Sequence, residues 1–597
     1  MTATAPSLPT WDLSDLYPGP DSPELAADLA TSETEAQDFA ARYAGKLATL
    51  SGDELAAAVA TFERIQERFG RLLSYAGLLR AGDLLDADIG RFAQSVQEKI
   101  SDISRVLIFF SLELNNLEDG AFEAALAQSA ALAHYGPWLL EVRKYKPHQL
   151  AAELEGILHD KQVTGASSWV RLYDETLATL SFTIPDPASG TSETLTMEEA
   201  LDRLFAPEEA RRKAAAEALS ATFRDNIRLF TLVTNTLAKD KEIEDRWRKF
   251  PSPEASRHLA NQVEPEVVAA LVAAVREAYP SLSHRFYRLK AKWMGKDKLD
   301  HWDRNAPLET GEDSAISWDE AKVIVLDAYR AFSPELADVG QRFFDKPWID
   351  VPPRPGKATG AFAHPTVPAV HPYLLLNYMG KTRDVMTLAH ELGHGVHQVL
   401  AADQGLFLSD TPLTLAETAS VFGEMLTFKA MLAATTDRAK RRHLLMSKVQ
   451  DMLNTVVRQI AFYTFEQKIH AARANGELTA EDIGKIWLEV QSESLGDAIR
   501  LNDGYDVYWC YISHFIHSPF YVYAYAFGDC LVNSLYATYE AEPEGFAAKY
   551  MELLAAGGSK GHKELLAPFG LDAADPAFWR RGLATLASFI DELEENS

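Results

Sequence analysis

His390-Glu391-Leu392-Gly393-His394 lies inside the run TLAHELGHGVHQVL and demands a helix. Two imidazoles four residues apart stand one above the other on a helix, close enough to share one metal ion. Glu391 sits at the edge of the same face, where it can take a proton from an activated water. These three side chains are the working set of a zinc hydrolase.

The surrounding residues fit such a helix. Taking about 100° per residue with His390 at zero, His394 falls at about 40° and His397 at about −20°. Val385, Leu388, Leu392, Val396 and Val399 gather on the far side. One face is therefore apolar and one carries ligand atoms. Thr382 or Asp384 can cap the start.

A site of this kind needs a third protein ligand and an open fourth position. The metzincin pattern would place glycine at position 397 and histidine at position 400, which here are His397 and Leu400. The alternative is a glutamate from the next helix. In LTLAETASVFGEMLTFKAML, an apolar stripe runs through Leu415, Ala419, Phe422, Leu426 and Ala430, and Glu417 and Glu424 share another face. They are the only ionisable groups between Asp410 and Lys429. Two acids on an otherwise uncharged segment point to a buried electrostatic partner, although glutamates on a helix usually face water. The expectation is Glu417 as third ligand, with Glu424 behind a ligand histidine to orient it.

Composition narrows the class. The chain has 597 residues, 47% of them hydrophobic, enough for more than one folding unit. A net charge of −28 with no basic patch argues against nucleic acid as a partner. The first twenty residues hold Pro6, Pro9, Pro18 and Pro20 and no apolar run, so no secretory leader is expected. With no apolar stretch of about 18 residues, no membrane span is expected either. Cys510 and Cys530 are the only cysteines, which suits reduced thiols and a cytoplasmic location.

Alanine- and leucine-rich helical patterns fill residues 22–180. Capping boxes are expected at Ser51–Glu54, Thr196–Glu199, Ser317–Glu320 and Thr479–Asp482. A Pro/Gly/Ser loop flanked by Leu180–Ile184 and Ser192–Leu195 reads as a small hairpin. The expected division is an amino-terminal helical region, 1–190, and a catalytic domain, 191–597. Seven prolines between Pro347 and Pro372 exclude helix there. The run Tyr373–Tyr378 then suits a strand leading into the metal helix. Either it is an ordinary buried strand, or its edge pairs with an extended peptide.

His514-Phe515-Ile516-His517-Ser518-Pro519-Phe520-Tyr521-Val522-Tyr523-Ala524-Tyr525 is unusually aromatic. Ser518-Pro519 reads as a helix start that places Tyr521 and Tyr525 on one face and Tyr523 elsewhere. A tyrosine hydroxyl and a histidine N–H can donate to the oxyanion of peptide hydrolysis. A packed aromatic core is the other reading.

The segment GAFAHPTVPAVHPYLLLNYMGKTRDVMTLAHELGHGVH, with AETASVFGE after it, resembles the oligoendopeptidase F branch of the thimet-oligopeptidase-like zinc metallopeptidases. The Trp11–Tyr17 opening (WDLSDLY) and the late run HFIHSPFYVYAYAFG resemble it too, so the likeness spans nearly the whole chain. It implies a mainly α, two-lobed metallopeptidase with a deep internal channel and a small β-sheet beside the HExxH helix. It implies one zinc ion per chain, held by two histidines and a glutamate, and cleavage of short peptides. Carried over by position, the donor roles fall on His514 and Tyr521 first, then Tyr525. Substrate contacts fall on Gly360, Ala361 and Phe362, with Tyr373 on the strand. Two departures stand out. Ala363 replaces a cysteine common in relatives, and Asp529 follows Gly528 where thimet-type relatives carry tyrosine, which leaves open which tyrosine donates. Two alternatives share these features: a helical zinc carboxypeptidase, which needs a fixed basic residue for the substrate carboxylate, and a non-catalytic peptide-binding protein with a structural metal site. An intact Glu391 argues against the latter.

Overall fold

Helix starts follow the capping residues. The computed structural model describes residues 8–187, 189–308 and 315–595. All four expected boxes close, each exchanging side-chain and backbone hydrogen bonds at the first turn of helices Gly52–Gly82, Met197–Asp202, Trp318–Phe332 and Ala480–Leu495. Each such cap satisfies N–H groups that a helix start leaves unpaired, and contributes about 1 kcal/mol. The fold is mainly helical, as expected. Its sheets, among the described residues, are a two-stranded hairpin, a two-stranded parallel pair and one three-stranded sheet. Among the described residues no helix is long and apolar enough to cross a membrane.

Contacts divide the chain into two compact units, each discontinuous in sequence. The first is Met1–Lys146, Glu312–Ala434 and Thr538–Asp572; the second is Pro147–Gly311, Thr435–Ala537 and Ala573–Ser597. The hairpin, Phe182–Pro185 against Ser192–Leu195, forms as expected and lies inside the second unit.

In the first unit the elements that matter are α1 (Trp318–Phe332), α2 (Pro334–Asp345), β1 (Ile349–Asp350), β2 (Phe362–His364), β3 (Tyr373–Leu375), α3 (Thr382–Ala401), α4 (Leu413–Ala416) and α5 (Thr418–Ala434). The proline-rich stretch is free of helix. Its turns are held by side chains instead: Lys357, fully buried, donates to Asp350 Oδ1 (2.8 Å) and to the carbonyls of Pro352 and Leu376. Arg354 grips the same carboxylate.

The strands give a correction. Of the two readings of the run Tyr373–Tyr378, the buried strand holds: β3 is the middle strand, parallel to β1 and antiparallel to β2. Both its edges are used. Tyr373 is fully buried, and its hydroxyl donates to the Asp12 carbonyl (2.8 Å), so it is not placed to touch a substrate. The free edge belongs to β2. Leu374 donates its N–H to Trp348 on the β1 side, so the opposed Ala363 turns its N–H outward to that edge.

Helix α3 buries the face that periodicity assigned. Val385, Leu388, Leu392 and Val396 are all 0% exposed, each contributing roughly 1.5–3 kcal/mol. Asp384 caps its start: the carboxylate reaches back to the N–H groups of Lys381 and Met379 (2.9 and 2.8 Å).

Candidate metal centre and active site

His390, His394 and Glu417 each bring a ligand atom within 4.8 Å of the others, in the first unit. The Glu417 Oε2 lies 3.4 Å from His390 Nε2 and 3.5 Å from His394 Nε2. Donors about 2.0–2.2 Å from a tetrahedral zinc stand about 3.3–3.5 Å apart, so two imidazoles and a carboxylate at this spacing fit the ion. The alignment depends on a break that periodicity did not show. The expected continuous helix stops at Ala416 and restarts at Thr418, so Glu417 sits at the corner between α4 and α5.

Each ligand side chain is held from behind. His390 Nδ1 donates to Glu424 Oε2 (3.4 Å), Ser420 Oγ donates to Glu417 Oε2 (2.7 Å), and the His394 ring donates to the Ala416 carbonyl. Such partners fix ring orientation and raise ligand basicity. Burial opposes a charge on His390, but the Glu424 hydrogen bond with the charges of Glu417, Glu424 and Glu391 outweighs it and lifts the imidazole to about 9. Burial, offset in part by Glu417, takes His394 down to about 4. A cation between them requires both rings neutral and overrides this arrangement.

Glu391 is 8% exposed. Burial first, then Glu417, raise its carboxyl to about 7 against the opposing pull of His390. Its backbone partner is the outward Ala363 N–H of the free strand edge. The base therefore stands beside the outer edge of β2. Gly360 (φ +78) and Ala361 lead into that strand, and Asn377 pins the turn by donating to the carbonyls of Ala358 and Gly360.

Two glycines missed as functional set the distance between α3 and α5. A Cβ on Gly393 would meet the Ala419 carbonyl oxygen at 2.5 Å and Ser420 Cα at 2.7 Å, both backbone. A Cβ on Gly423 would collide with the Tyr329 hydroxyl, which donates to the Ala389 carbonyl of α3 (2.6 Å). Glycine is the device for close backbone approach, and HELGH carries the signal in its fourth letter. Gly393→Ala should therefore push α5 away and draw Glu417 from the histidines. The expected cost is about 1–3 kcal/mol of stability, as for other overpacked sites. Metal affinity should fall at least about tenfold, as it does when groups that orient ligands are lost. A thermal melt and a metal titration would read both; unchanged metal affinity would sever Gly393 from the centre.

His514, Tyr521 and Tyr525 come together in the second unit. His514 Nε2 lies 3.2 Å from the Tyr525 hydroxyl, and the Tyr521 ring is 6.2 Å from His514 and 5.3 Å from Tyr525. The local structure differs from expectation. No helix starts at Ser518-Pro519; the next one runs Tyr523–Ala541, so Tyr521 precedes it. Phe520 takes φ 60, and its N–H donates to the buried Glu466 carboxylate (2.8 Å), a tertiary bond that holds a turn there. Tyr523 is bound by His258 and Asn261, and His517 by Asp174, so neither joins the trio. A further acidic group, Glu209, Asp300 and Asp303, is already bridged by Lys296 and Arg212.

A family model described as peptidase family M3 matches residues 204–585, and one described as oligopeptidase F matches residues 113–182. The oligopeptidase PepF of Bacillus subtilis is 25% identical over 594 residues, covering 98% of this chain and 87% of its own. The structure of a Chlamydophila abortus protein superposes with a TM-score of 0.85 at 22% identity, covering 98% of both chains. Oligoendopeptidase-F from Enterococcus faecium gives 0.71 at 21% identity, covering 96% of this chain and 97% of that one. At these identities the structural likeness speaks to the fold.

Proposed function

We propose a division of labour for this chain, which belongs to peptidase family M3 and is a metalloendopeptidase acting on oligopeptides, in which His390, His394 and Glu417 hold one zinc ion and Glu391 is the general base. The observation that carries it is the three-ligand cluster with a buried carboxyl beside it. Zinc, when bound, supplies positive charge that polarises the scissile carbonyl and acidifies the attacking water. Glu391 takes the proton of that water and delivers it to the leaving amine, a role that a buried carboxylate at the edge of the ligand face suits. Glu424, Ser420 and the Ala416 carbonyl keep the ligand atoms aimed. For the oxyanion donors the family resemblance points to His514 and Tyr521, with Tyr525 hydrogen-bonded to the same imidazole.

The substrate enters as an added strand. The free edge of β2 runs past Glu391, and its approach through Gly360, Ala361 and Phe362 is exposed or half-buried. Main-chain pairing there demands an extended peptide and is indifferent to most side chains. Residues 1–190 and 191–597 are read as two modules of the family, supported by the gap between the two matched segments, where the hairpin lies. Two free, buried cysteines support a cytoplasmic setting.

Size selection tests this reading. Unstructured peptides of roughly 5–20 residues, which can lie extended along a strand edge, should be cleaved readily. Folded proteins and denatured casein should resist. Rapid, chelator-sensitive digestion of casein by a homogeneous preparation would overturn the size selection.

A further inference from the structure

The second unit holds a cavity of about 200 Å³ that the mechanism does not use. Its wall includes Arg304 and Arg458, and among the described residues neither guanidinium has an ion-pair partner; Arg458 interacts instead with Tyr511 and with the like charge of Arg304. Its Nη2 donates to the Tyr511 hydroxyl (3.2 Å), while its Nε is buried without an acceptor. Two other wall residues carry buried N–H groups in the same condition, His301 at Nε2 and Trp302 at Nε1. The His301 assignment follows from its other nitrogen. The Asn502 N–H donates to Nδ1 (3.3 Å), and burial takes the ring down to about 4, so it is neutral with its proton on Nε2.

Two half-buried cations side by side without a counter-charge form an incomplete electrostatic unit. A planar guanidinium with further N–H donors nearby matches a carboxylate or phosphate. Beside Asn305 and three tyrosines the wall carries Leu201, Leu204 and Phe205, and that apolar part favours an anion with an apolar body over a small hydrated one. We propose that this cavity binds a carboxylate next to an apolar side chain, namely the C-terminal residue of a peptide. The choice of a peptide terminus among apolar carboxylates rests on the oligopeptidase reading; the binding itself does not.

Calorimetric titration of the full-length protein with N-acetylphenylalanine and with its amide tests this, with metal present and after chelation. The acid should bind about tenfold or more tightly than the amide, as for one charge-assisted hydrogen bond. The preference should survive chelation and vanish in Arg458→Met. Should that variant fail to fold, Arg458→Lys keeps the charge without the fork and should still weaken the acid. Equal binding of acid and amide would overturn the proposal. So would a preference lost on chelation but kept in Arg458→Met, which puts the carboxylate on the metal. Inorganic phosphate displacing the acid at equal concentration would assign the cavity to a free anion and overturn it too. No arm depends on turnover, so failure here leaves the peptidase reading standing. A chain that binds the acid but cleaves no peptide would overturn only that reading.

Discussion

Glu391→Gln keeps its metal and loses turnover by about 10²–10⁴-fold, the usual cost of removing a general base. The substitution is close to isosteric, and the amide oxygen can still accept the Ala363 N–H that the carboxylate accepts now. Glu391 is outside the three-atom ligand cluster, so nothing that holds the ion is removed. Its surroundings also favour the neutral replacement, because burial already disfavours the charged carboxylate. The protein should therefore fold, bind metal and bind peptide, and fail only at proton transfer. Metal content by emission spectroscopy and kcat on a quenched peptide separate these quantities. Near-wild-type kcat would place the base elsewhere; loss of metal would show that Glu391 supports the site rather than the reaction.

What the sequence made legible was whatever repeats along a helix. His390 and His394 share a face by spacing alone, and the apolar stripe of α3 is read from Val385, Leu388, Leu392 and Val396. Glu417 and Glu424 stood out because their segment carries no other charge. What stayed hidden depends on contacts distant in sequence. The break at Glu417 has no glycine or proline to mark it. The turn at Phe520 is set by Glu466, 54 residues away, against a local Ser-Pro signal that favours a helix start. The free strand edge is a property of strand order, which hydrophobicity does not encode: an all-apolar run such as Tyr373–Leu375 reads the same in the middle of a sheet as at its rim. Two of the groups nearest the chemistry, the Ala416 carbonyl and the Ala363 N–H, are backbone atoms with no side-chain signature. Gly393 is the opposite case: its signal is plain in the motif, but its meaning appears only once Ala419 and Ser420 are seen against it.

Glu417→Ala should lose the metal, and with it activity, whereas Glu424→Ala should weaken metal binding by roughly 10–100-fold and leave a catalyst that metal excess restores. Glu417 stands at the corner before α5 and Glu424 within α5, and both approach His390, so the contrast isolates what each contact does. Glu417 approaches both histidines through Nε2, the nitrogens that face the shared centre. Removing it leaves two imidazoles, and a third ligand is what separates a held ion from a passing one. Glu424 meets His390 at Nδ1, from behind. Its loss frees the ring to rotate and removes a carboxylate that makes the imidazole a better donor, but the three ligand atoms remain. Ser420→Ala should behave as a milder Glu424→Ala, since its hydroxyl restrains the Glu417 carboxylate in the same indirect way. The measurement is zinc affinity by competition with a chromophoric chelator, paired with kcat/KM at increasing free zinc. If Glu417→Ala matched wild type in stoichiometry and affinity, the third ligand would have to be sought elsewhere. If Glu424→Ala lost zinc as completely as Glu417→Ala, the two acids would both be ligands and the 3.4 Å contact to Nδ1 would have been misread.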